Sequence, residues 1–170
     1  MQRIWITGSS GSGKTTIANI VGEKLDIPIY NSDKIFWQED WQRRPRDEQI
    51  QITKTISNKE KWIYEGNRFD DCKSDGRLEN CDTIIYLNIN RFTCVYRFIK
   101  RYFKYKGTVR PDISDGCTEK IDFDVIKYIL IDFHSKNASR KRLFDEAKYI
   151  GKDVIILNGI NRIQKWIKVF

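Results

Sequence analysis

Eight residues near the start of the chain, Gly8–Thr15, leave few folds open to it. They read G-S-S-G-S-G-K-T and fit the pattern G-x-x-x-x-G-K-[S/T] at every position. The short apolar run Arg3–Thr7 before them predicts a strand. The apolar residues after them recur at the spacing of a helix: Ile17, Ile20, Val21 and Leu25. A strand, a glycine-rich loop and a helix in this order indicate an α/β fold.

Four further apolar runs predict strands, and helical patterns lie between them. The strands are Ile27–Tyr30, Trp62–Tyr64, Thr83–Leu87 and Val154–Leu157. The helical patterns cover residues 45–60, 91–106, 122–149 with a break around 135–139, and 160–167. Residues 107–120 carry two glycines, a proline and several turn formers, which predicts a loop. Short strands that alternate with helices imply a parallel sheet covered on both faces, and the length suits one domain, 1–170.

The charge balance favours anionic partners. Lys and Arg number 31 against 23 Asp and Glu, a formal net charge of +8, which favours nucleotides, phosphorylated metabolites or nucleic acid without choosing among them. The four cysteines form no C-x-x-C pair and there is one histidine, so no zinc cluster is indicated. No apolar run reaches about 18 residues, and the N-terminus lacks the features of a signal peptide. We therefore expect reduced thiols, a cytoplasmic location and no membrane partner.

The glycine-rich octapeptide also predicts a phosphate site. Glycines let successive backbone N–H groups converge on phosphate oxygens, and the N-terminus of the following helix adds a favourable partial charge. Lys14 is placed to reach the outer phosphates and Thr15 to bind Mg²⁺. The expected cofactors are ATP and Mg²⁺, and the nucleotide contacts form one continuous set: Gly8, Ser9, Ser10, Gly11, Ser12, Gly13, Lys14, Thr15 and Thr16. The alternative, a Gly/Ser-rich turn that matches by accident, is disfavoured by the strand and helix on either side.

Four segments of the chain together match one known group of proteins. They are the glycine loop, Asn31–Trp37, Trp62–Asn67, and Gly107–Asp112 continuing through Gly116–Cys117. With these segments the chain resembles the small P-loop kinases of the adenylate kinase and shikimate kinase group, and within it the bacterial DNA topology modulation proteins. The resemblance implies a P-loop NTPase fold with a five-stranded parallel sheet, a small lid over ATP at about 91–142, and transfer of the γ-phosphoryl group of Mg-ATP. The acceptor stays open between a nucleotide and a hydroxylated metabolite.

Two acidic residues follow predicted strands and are candidates for phosphoryl-transfer chemistry. Asp33 follows the second strand, where related kinases place a carboxylate that meets the acceptor hydroxyl. It is assigned as the base or orienting group, with a helix N-cap as the alternative. Glu65, Asn67 and Arg68 resemble the D-G-x-P-R element of adenylate kinases, which implies that Glu65 holds Mg²⁺ through water and that all three contact the acceptor. The alternative for Glu65 is a strand-end carboxylate paired with a surface lysine.

Four arginines are candidates for binding phosphates. Arg97 and Arg101, four residues apart, share a helix face, and their position resembles that of the arginines that open the adenylate kinase lid. That resemblance assigns Arg97 to the nucleotide and Arg101 to catalysis, beside Lys14. Arg142 resembles an arginine that closes the lid and is assigned to transition-state charge, whereas Arg110, in the intervening loop, is a lesser candidate. The alternative is that these side chains form only the solvated faces of amphipathic helices.

Two classes of function stay open. An ATP-dependent phosphotransferase uses all of these residues, with ATP and a small-molecule acceptor as its partners. The alternative is a nucleotide-gated nucleic-acid-binding ATPase that affects DNA topology, with the basic and aromatic helix Arg91–Lys106 as its contact surface. No helix-turn-helix, zinc-finger or aromatic RNP signature supports that alternative, so the phosphotransferase is favoured. The sequence does not indicate an oligomeric state.

Overall fold

A five-stranded, all-parallel sheet forms the centre of the fold in the computed structural model, which describes residues 1–110 and 113–170. The strands are β1 (Arg3–Gly8), β2 (Ile29–Asn31), β3 (Trp62–Glu65), β4 (Thr83–Asn88) and β5 (Asp153–Asn158), in the order β2-β3-β1-β4-β5. This confirms the predicted five-stranded parallel sheet. Pro111 and Asp112, which belong to one of the segments that carry the resemblance, lie outside the described residues.

The α-helices occupy most of the predicted positions. They are α1 (Lys14–Leu25), α2 (Ser32–Phe36), α3 (Arg46–Ser57), α4 (Arg77–Asn80), α5 (Arg91–Tyr105), α6 (Phe123–Lys127), α7 (Phe133–Ser135), α8 (Asn137–Tyr149) and α9 (Ile160–Val169). A π-helical turn, Tyr128–Asp132, joins α6 to α7. The long helix predicted at 122–149 therefore divides at Lys136, inside the break predicted at 135–139.

Three local features differ from the prediction. Strand β2 begins two residues later than expected, because the N–H of Ile27 donates to the carbonyl of Gly22 at 3.1 Å and closes the turn after α1. Helix α2 was not predicted, and it begins because the Asn31 side chain accepts a hydrogen bond from the N–H of Asp33 at 2.8 Å. Helix α4 was also missed. Both helices are too short for a hydrophobic period to reveal them.

Successive residues of the central strands face two separate cores. Ile4 and Ile6 of β1 pack in one cluster with residues of α1, α5 and α9, whereas Trp5 packs in the other with residues of α3 and α8. Strand β4 divides in the same way, with Ile85 in the first cluster and Ile84 in the second. A parallel strand that is buried on both faces needs a continuous apolar run, which is the pattern that the sequence shows. The predicted helices on both faces of the sheet are confirmed.

The parallel register brings three functional segments to one edge of the sheet. Strand β1 ends at Gly8, the first residue of the glycine loop, and the last residues of β2 and β3 are neighbours, Asn31 beside Glu65. Glu65 is also paired in register with Ile6 of β1. The carboxyl ends of adjacent parallel strands therefore place Asn31, Glu65 and the glycine loop side by side.

Residues 106–110 and 113–120, which we call the cavity loop, pack against the segment that follows α2. Backbone bridges join Lys106 to Glu119 and Val109 to Thr118, so the two ends of the loop lie together. The backbone N–H of Trp41 donates to the sulfur of Cys117 at 3.3 Å, and its indole N–H donates to the carbonyl of Thr118 at 3.0 Å. Trp41 thus fixes the far end of the loop against the side of the sheet that carries β2.

The four cysteines are buried, and none forms a disulfide within the described part of the chain. Burial raises the pKa of the Cys72 and Cys81 thiols to about 11. No helix in residues 1–110 or 113–170 combines the length and the apolar sequence that a membrane span requires.

Candidate active site

The glycine loop has the backbone shape that a phosphate site needs. Gly11 has a φ of 76°, and a Cβ there would collide with the carbonyl oxygen of Cys94 on α5. Gly13, with a φ of 97°, precedes α1, and no side chain of the described residues caps the start of that helix. The first amides of a helix have no partner within the helix. The loop therefore presents uncapped N–H groups at the positive end of α1, where an anion is stabilised.

Glu65 links the strand edge to the glycine loop. Its carboxylate, 5% exposed, accepts a hydrogen bond from the Asn31 amide at 2.6 Å and from the Thr15 hydroxyl at 3.2 Å. The other carboxylate oxygen lies 3.6 Å from the ammonium group of Lys14, which also donates to the carbonyl of Ser9 at 3.1 Å. Glu65 thus forms an ion pair with the lysine of the glycine loop.

The residues around Glu65 fit a magnesium ion bound with phosphate. The Thr15 hydroxyl and the Glu65 carboxylate are oxygen donors, which Mg²⁺ prefers, and they already lie within hydrogen-bond distance of each other. Within the described residues no group of three or more His, Cys, Asp or Glu side chains is placed to hold a metal ion. Mg²⁺ commonly binds through one or two protein oxygens together with substrate phosphates and water. The oxygen atoms of Thr15 and Glu65 have the chemistry that such a pair needs.

A cavity of about 590 Å³ lies beside the glycine loop, and most of the predicted site residues line it. The predicted residues that line it are Ser10, Gly11, Gly13, Lys14, Thr15, Thr16, Asp33, Glu65, Asn67 and Arg101. Three of the lining residues, Asn19, Ser32 and Tyr105, were not predicted from the sequence, and Arg110 was given only as a lesser candidate. Residues from the first three strand ends, from α5 and from the cavity loop therefore share one space.

Asp33, on α2, also lines this cavity. The cap of α2 is Asn31, so the Asp33 carboxylate is not used as an N-cap. Its side chain is 45% exposed, and one carboxylate oxygen lies 3.7 Å from a terminal nitrogen of Arg110. A carboxylate in this place is open to a ligand and faces a cation.

Arg110 lines the cavity and Glu119 lies behind it, and sequence reasoning underestimated the first and missed the second. Arg110 is buried, and its Nε lies 2.6 Å from a carboxylate oxygen of Glu119. The other oxygen of Glu119 accepts a hydrogen bond from Nε of Arg101 at 2.9 Å. No pattern in the sequence indicated this cluster, because the three residues lie on a helix and on both sides of a loop. Only the closure of the loop brings them together.

Several predicted residues lie away from the cavity. Gly8 ends β1, and Ser9 and Ser12 are buried in the glycine loop itself. Arg97 donates to the carbonyl of Ser12 at 3.5 Å and lines a smaller cavity of about 270 Å³ between the loop and α9. That cavity also contains the apolar side chains of Ile17, Ile160, Ile163 and Ile167.

Arg68 and Arg142 were predicted to belong to the site, but neither lines the cavity beside the glycine loop. Arg68 pairs with Asp71 at 3.0 Å, donates to Gln49 and lies over the ring of Phe36 at 4.8 Å. It lines a third cavity of about 210 Å³, which Asn67 shares. Arg142 is exposed on α8 and lines none of these three cavities.

Similarity to solved structures extends over nearly the whole chain. A shikimate kinase from Bacteroides thetaiotaomicron matches with a TM-score of 0.55 and 15% identity, over 99% of this chain and 95% of that one. A shikimate kinase from Acinetobacter baumannii in complex with shikimate matches with a TM-score of 0.56 and 13% identity, over 99% and 90% of the two chains. The sequence matches no protein-family model and no curated protein. The chain therefore has the α/β P-loop fold that these kinases share, and identities this low show the fold alone.

Proposed function

We propose that the chain is a Mg²⁺-dependent phosphotransferase that moves the γ-phosphoryl group of ATP to a hydroxyl group of a small acceptor. The observation that supports this most is the shared cavity, which is lined by Lys14 and Thr15 of the glycine loop and by Asp33. Phosphoryl transfer requires positioning and charge stabilisation more than covalent chemistry from the protein. The cavity brings a phosphate site and a carboxylate together, as that reaction needs.

The glycine loop and the cavity beside it form the nucleotide site in this proposal. The N–H groups at the start of α1 bind phosphate oxygens, and Lys14 exchanges part of its contact with Glu65 for the outer phosphates. The apolar cavity between Arg97 and α9 has room for a flat base. The guanidinium of Arg97 lies at its rim and supplies a cation to the base or the phosphates.

Thr15 and Glu65 hold Mg²⁺ in this proposal, either directly or through water. When bound, the ion neutralises charge on the phosphate oxygens. Asn31 donates to the same oxygen of Glu65 as Thr15 does, and this fixes the carboxylate against the end of β2. Groups that orient a ligating carboxylate in this way strengthen metal binding.

Asp33 and Asn67 form the acceptor side. Asp33 accepts the proton of the acceptor hydroxyl or orients it, and Asn67 lies on the same wall of the cavity. The volume of about 590 Å³ suits a small molecule. One structural neighbour was solved with shikimate, a hydroxylated acid, which supports hydroxylated metabolites as one of two classes of acceptor to test. Nucleoside monophosphates are the other class.

The segment at about 91–142 acts as a lid in this proposal. Its cavity loop supplies Arg110 to the wall, and Arg142 reaches the transferring phosphate only if α8 and the loop move on closure. We also propose, from the resemblance of this loop's sequence, that the chain is related to the DNA topology modulation proteins.

The test is ADP release from Mg-ATP with a panel of acceptors, in which the Lys14→Ala protein sets the background. We expect one acceptor class to raise the rate above that background, which also identifies the substrate. Equal release by the two proteins with every acceptor would contradict the proposal.

A nucleic-acid-binding function is the second candidate, because α5 carries an exposed aromatic stripe. Phe92, Tyr96 and Phe103 lie on one face of the helix and are 70%, 64% and 68% exposed. Aromatic side chains among Lys and Arg are suited to stack on unpaired bases. Binding to single-stranded DNA that stays tight at high salt and changes with nucleotide favours this candidate, because contacts to phosphate alone weaken as salt rises.

A further inference from the structure

Glu119 is a buried acid in contact with two arginines that line the cavity, and the proposed reaction does not otherwise use it. Its side chain is 3% exposed, and each of its two carboxylate oxygens contacts a different arginine. One oxygen lies 2.9 Å from Nε of Arg101 on α5, and the other lies 2.6 Å from Nε of Arg110 in the cavity loop. A single carboxylate thus joins two cations that come from separate elements.

Both contacts are made at Nε of a guanidinium group, as a hydrogen bond for Arg101 and as a buried ion pair for Arg110. A guanidinium is planar and its donors point in fixed directions, so holding Nε sets where the terminal nitrogens point. For Arg110 one terminal nitrogen lies 3.7 Å from Asp33, toward the acceptor side of the cavity. Arg101 lines the same cavity as Lys14. Glu119 therefore orients both arginines along the wall that faces the glycine loop.

Closure of the loop does not depend on the Glu119 side chain. The backbone N–H of Glu119 donates to the carbonyl of Thr108 at 3.2 Å, and a second bridge joins Val109 to Thr118. Trp41 fixes the same part of the loop from outside through the carbonyl of Thr118. A buried carboxylate costs free energy unless it is paired, and ion pairs of this kind often add little net stability. The backbone contacts close the loop but do not orient the two arginines. The Glu119 side chain supplies that orientation.

We propose that Glu119 is a positioning residue that holds Arg101 and Arg110 in place to bind the γ-phosphoryl group as it is transferred. This inference rests on the proposed function. Arginines bind phosphate oxygens with directional, charge-assisted hydrogen bonds, and such contacts stabilise the transition state when they are in place before the reaction. Glu119 supplies that preorganisation for two arginines at once.

The test is a binding measurement, so it does not require the acceptor to be known. Calorimetry compares the Mg²⁺ complexes of ADP and of the imido analogue of ATP, which differ by the terminal phosphoryl group. We expect the wild-type chain to prefer the analogue. Glu119→Gln should reduce that preference by about tenfold while leaving ADP affinity within about twofold, because ADP does not reach the two arginines. Glu23→Gln, an exposed change on α1, is the matched control.

A second set of variants separates positioning from a purely structural role. Glu119→Asp keeps the charge but is shorter by one methylene group, so it cannot reach both arginines and should give an intermediate preference. In a protein that carries Arg101→Lys and Arg110→Lys, adding Glu119→Gln should have less than about a twofold further effect, since residues that act as a unit are not additive. If circular dichroism shows that Glu119→Gln does not fold, Glu119→Asp decides the question.

The outcomes distinguish this inference from the proposed function. An unchanged preference in a folded Glu119 variant, or effects that add in the lysine background, overturns the positioning role alone. A wild-type chain that does not distinguish the analogue from ADP also overturns it. If Lys14→Ala binds both nucleotides as tightly as the wild type does, the nucleotide site itself is wrong, and the proposed function fails with the inference.

Discussion

The Glu65 carboxylate lies 3.6 Å from the ammonium group of Lys14, so the end of β3 and the glycine loop are joined by an ion pair in the core of the site. The sequence places these residues 51 positions apart. They meet because β1 and β3 are adjacent parallel strands whose carboxyl ends lie at the same edge of the sheet. The site is therefore built on the sheet, and substitutions in it are expected to change binding and turnover more than folding.

Lys14→Ala is expected to abolish tight binding of Mg-ATP, because the variant loses the cation that reaches the outer phosphates. The measurement is calorimetric titration with Mg-ATP. Lys54→Ala, an exposed change on α3, is the control and should bind as the wild type does. An affinity of Lys14→Ala equal to that of the control would contradict the assignment of the glycine loop.

Glu65→Gln is expected to weaken the dependence of ATP affinity on Mg²⁺ by about tenfold or more, the usual cost of losing a group that holds or orients a metal. The side chain keeps its size, and an amide still accepts the hydrogen bonds from Thr15 and Asn31. Calorimetry at several Mg²⁺ concentrations measures the effect, with Glu60→Gln as an exposed control. If the Mg²⁺ dependence is the same in both variants, Glu65 does not serve the ion.

Asp33→Asn is expected to lower acceptor-dependent turnover by about 10²–10⁴-fold, the range that general-base catalysis contributes. ATP affinity should change little, because Asp33 lies on α2 and is not part of the glycine loop. The assay is ADP release with the acceptor that the panel identifies, and Asp47→Asn, exposed on α3, is the control. A fall in ATP affinity that matches the fall in turnover would point to a structural role.

Replacement of Arg140 is expected to lower stability, whereas replacement of Arg142 is expected to lower turnover. Arg140 is buried against the ring of Phe133, 3.8 Å from its centre, so Arg140→Ala should lower the free energy of unfolding by about 1–3 kcal/mol. Arg142 is exposed, and Arg142→Ala should change the free energy of unfolding by less than about 0.5 kcal/mol. If the lid closes as proposed, Arg142→Ala lowers turnover more than ATP affinity. Urea unfolding and steady-state kinetics check both expectations, and unchanged turnover removes Arg142 from the mechanism.

His134 should make stability depend on pH. Burial, with the positive charges of Arg91 and Arg140, lowers its pKa below the usual 6.5. The unfolded chain therefore binds a proton at higher pH than the folded chain does. The contribution of His134 to stability is present above pH 6.5 and is lost as the pH falls through the pKa of the folded state. His134→Gln should reduce the loss of stability between neutral and mildly acidic pH.

Proton NMR can follow this residue without ambiguity, because it is the single histidine of the chain. The titration of its ring protons in the folded protein gives the pKa directly. A midpoint at or above 6.5, or equal pH dependence of unfolding in the wild type and His134→Gln, would contradict the expectation.

The sequence determined those parts of the protein that depend on neighbouring residues. Apolar runs and helical spacing located the five strands and the longer helices, and the glycine pattern located the phosphate loop, because each is a local consequence of residue type. The same reasoning placed Asp33 and Glu65 after strands, and parallel strands then had to bring both to one edge of the sheet. This reasoning did not locate the short helix α2, since that helix begins with one hydrogen bond from the N–H of Asp33 to the side chain of Asn31.

Tertiary structure decided which long side chains reach the cavity. Arg68 stands next to Asn67 just after the end of β3, yet it is held by Asp71, whereas Arg110 enters the cavity wall from a loop. An arginine side chain can extend in many directions, and the carboxylates packed beside it select one. Those carboxylates are brought near by the closing of the loop and the packing of helices, and no local pattern in the sequence records such contacts. The Glu119 cluster exists only in the folded chain for the same reason.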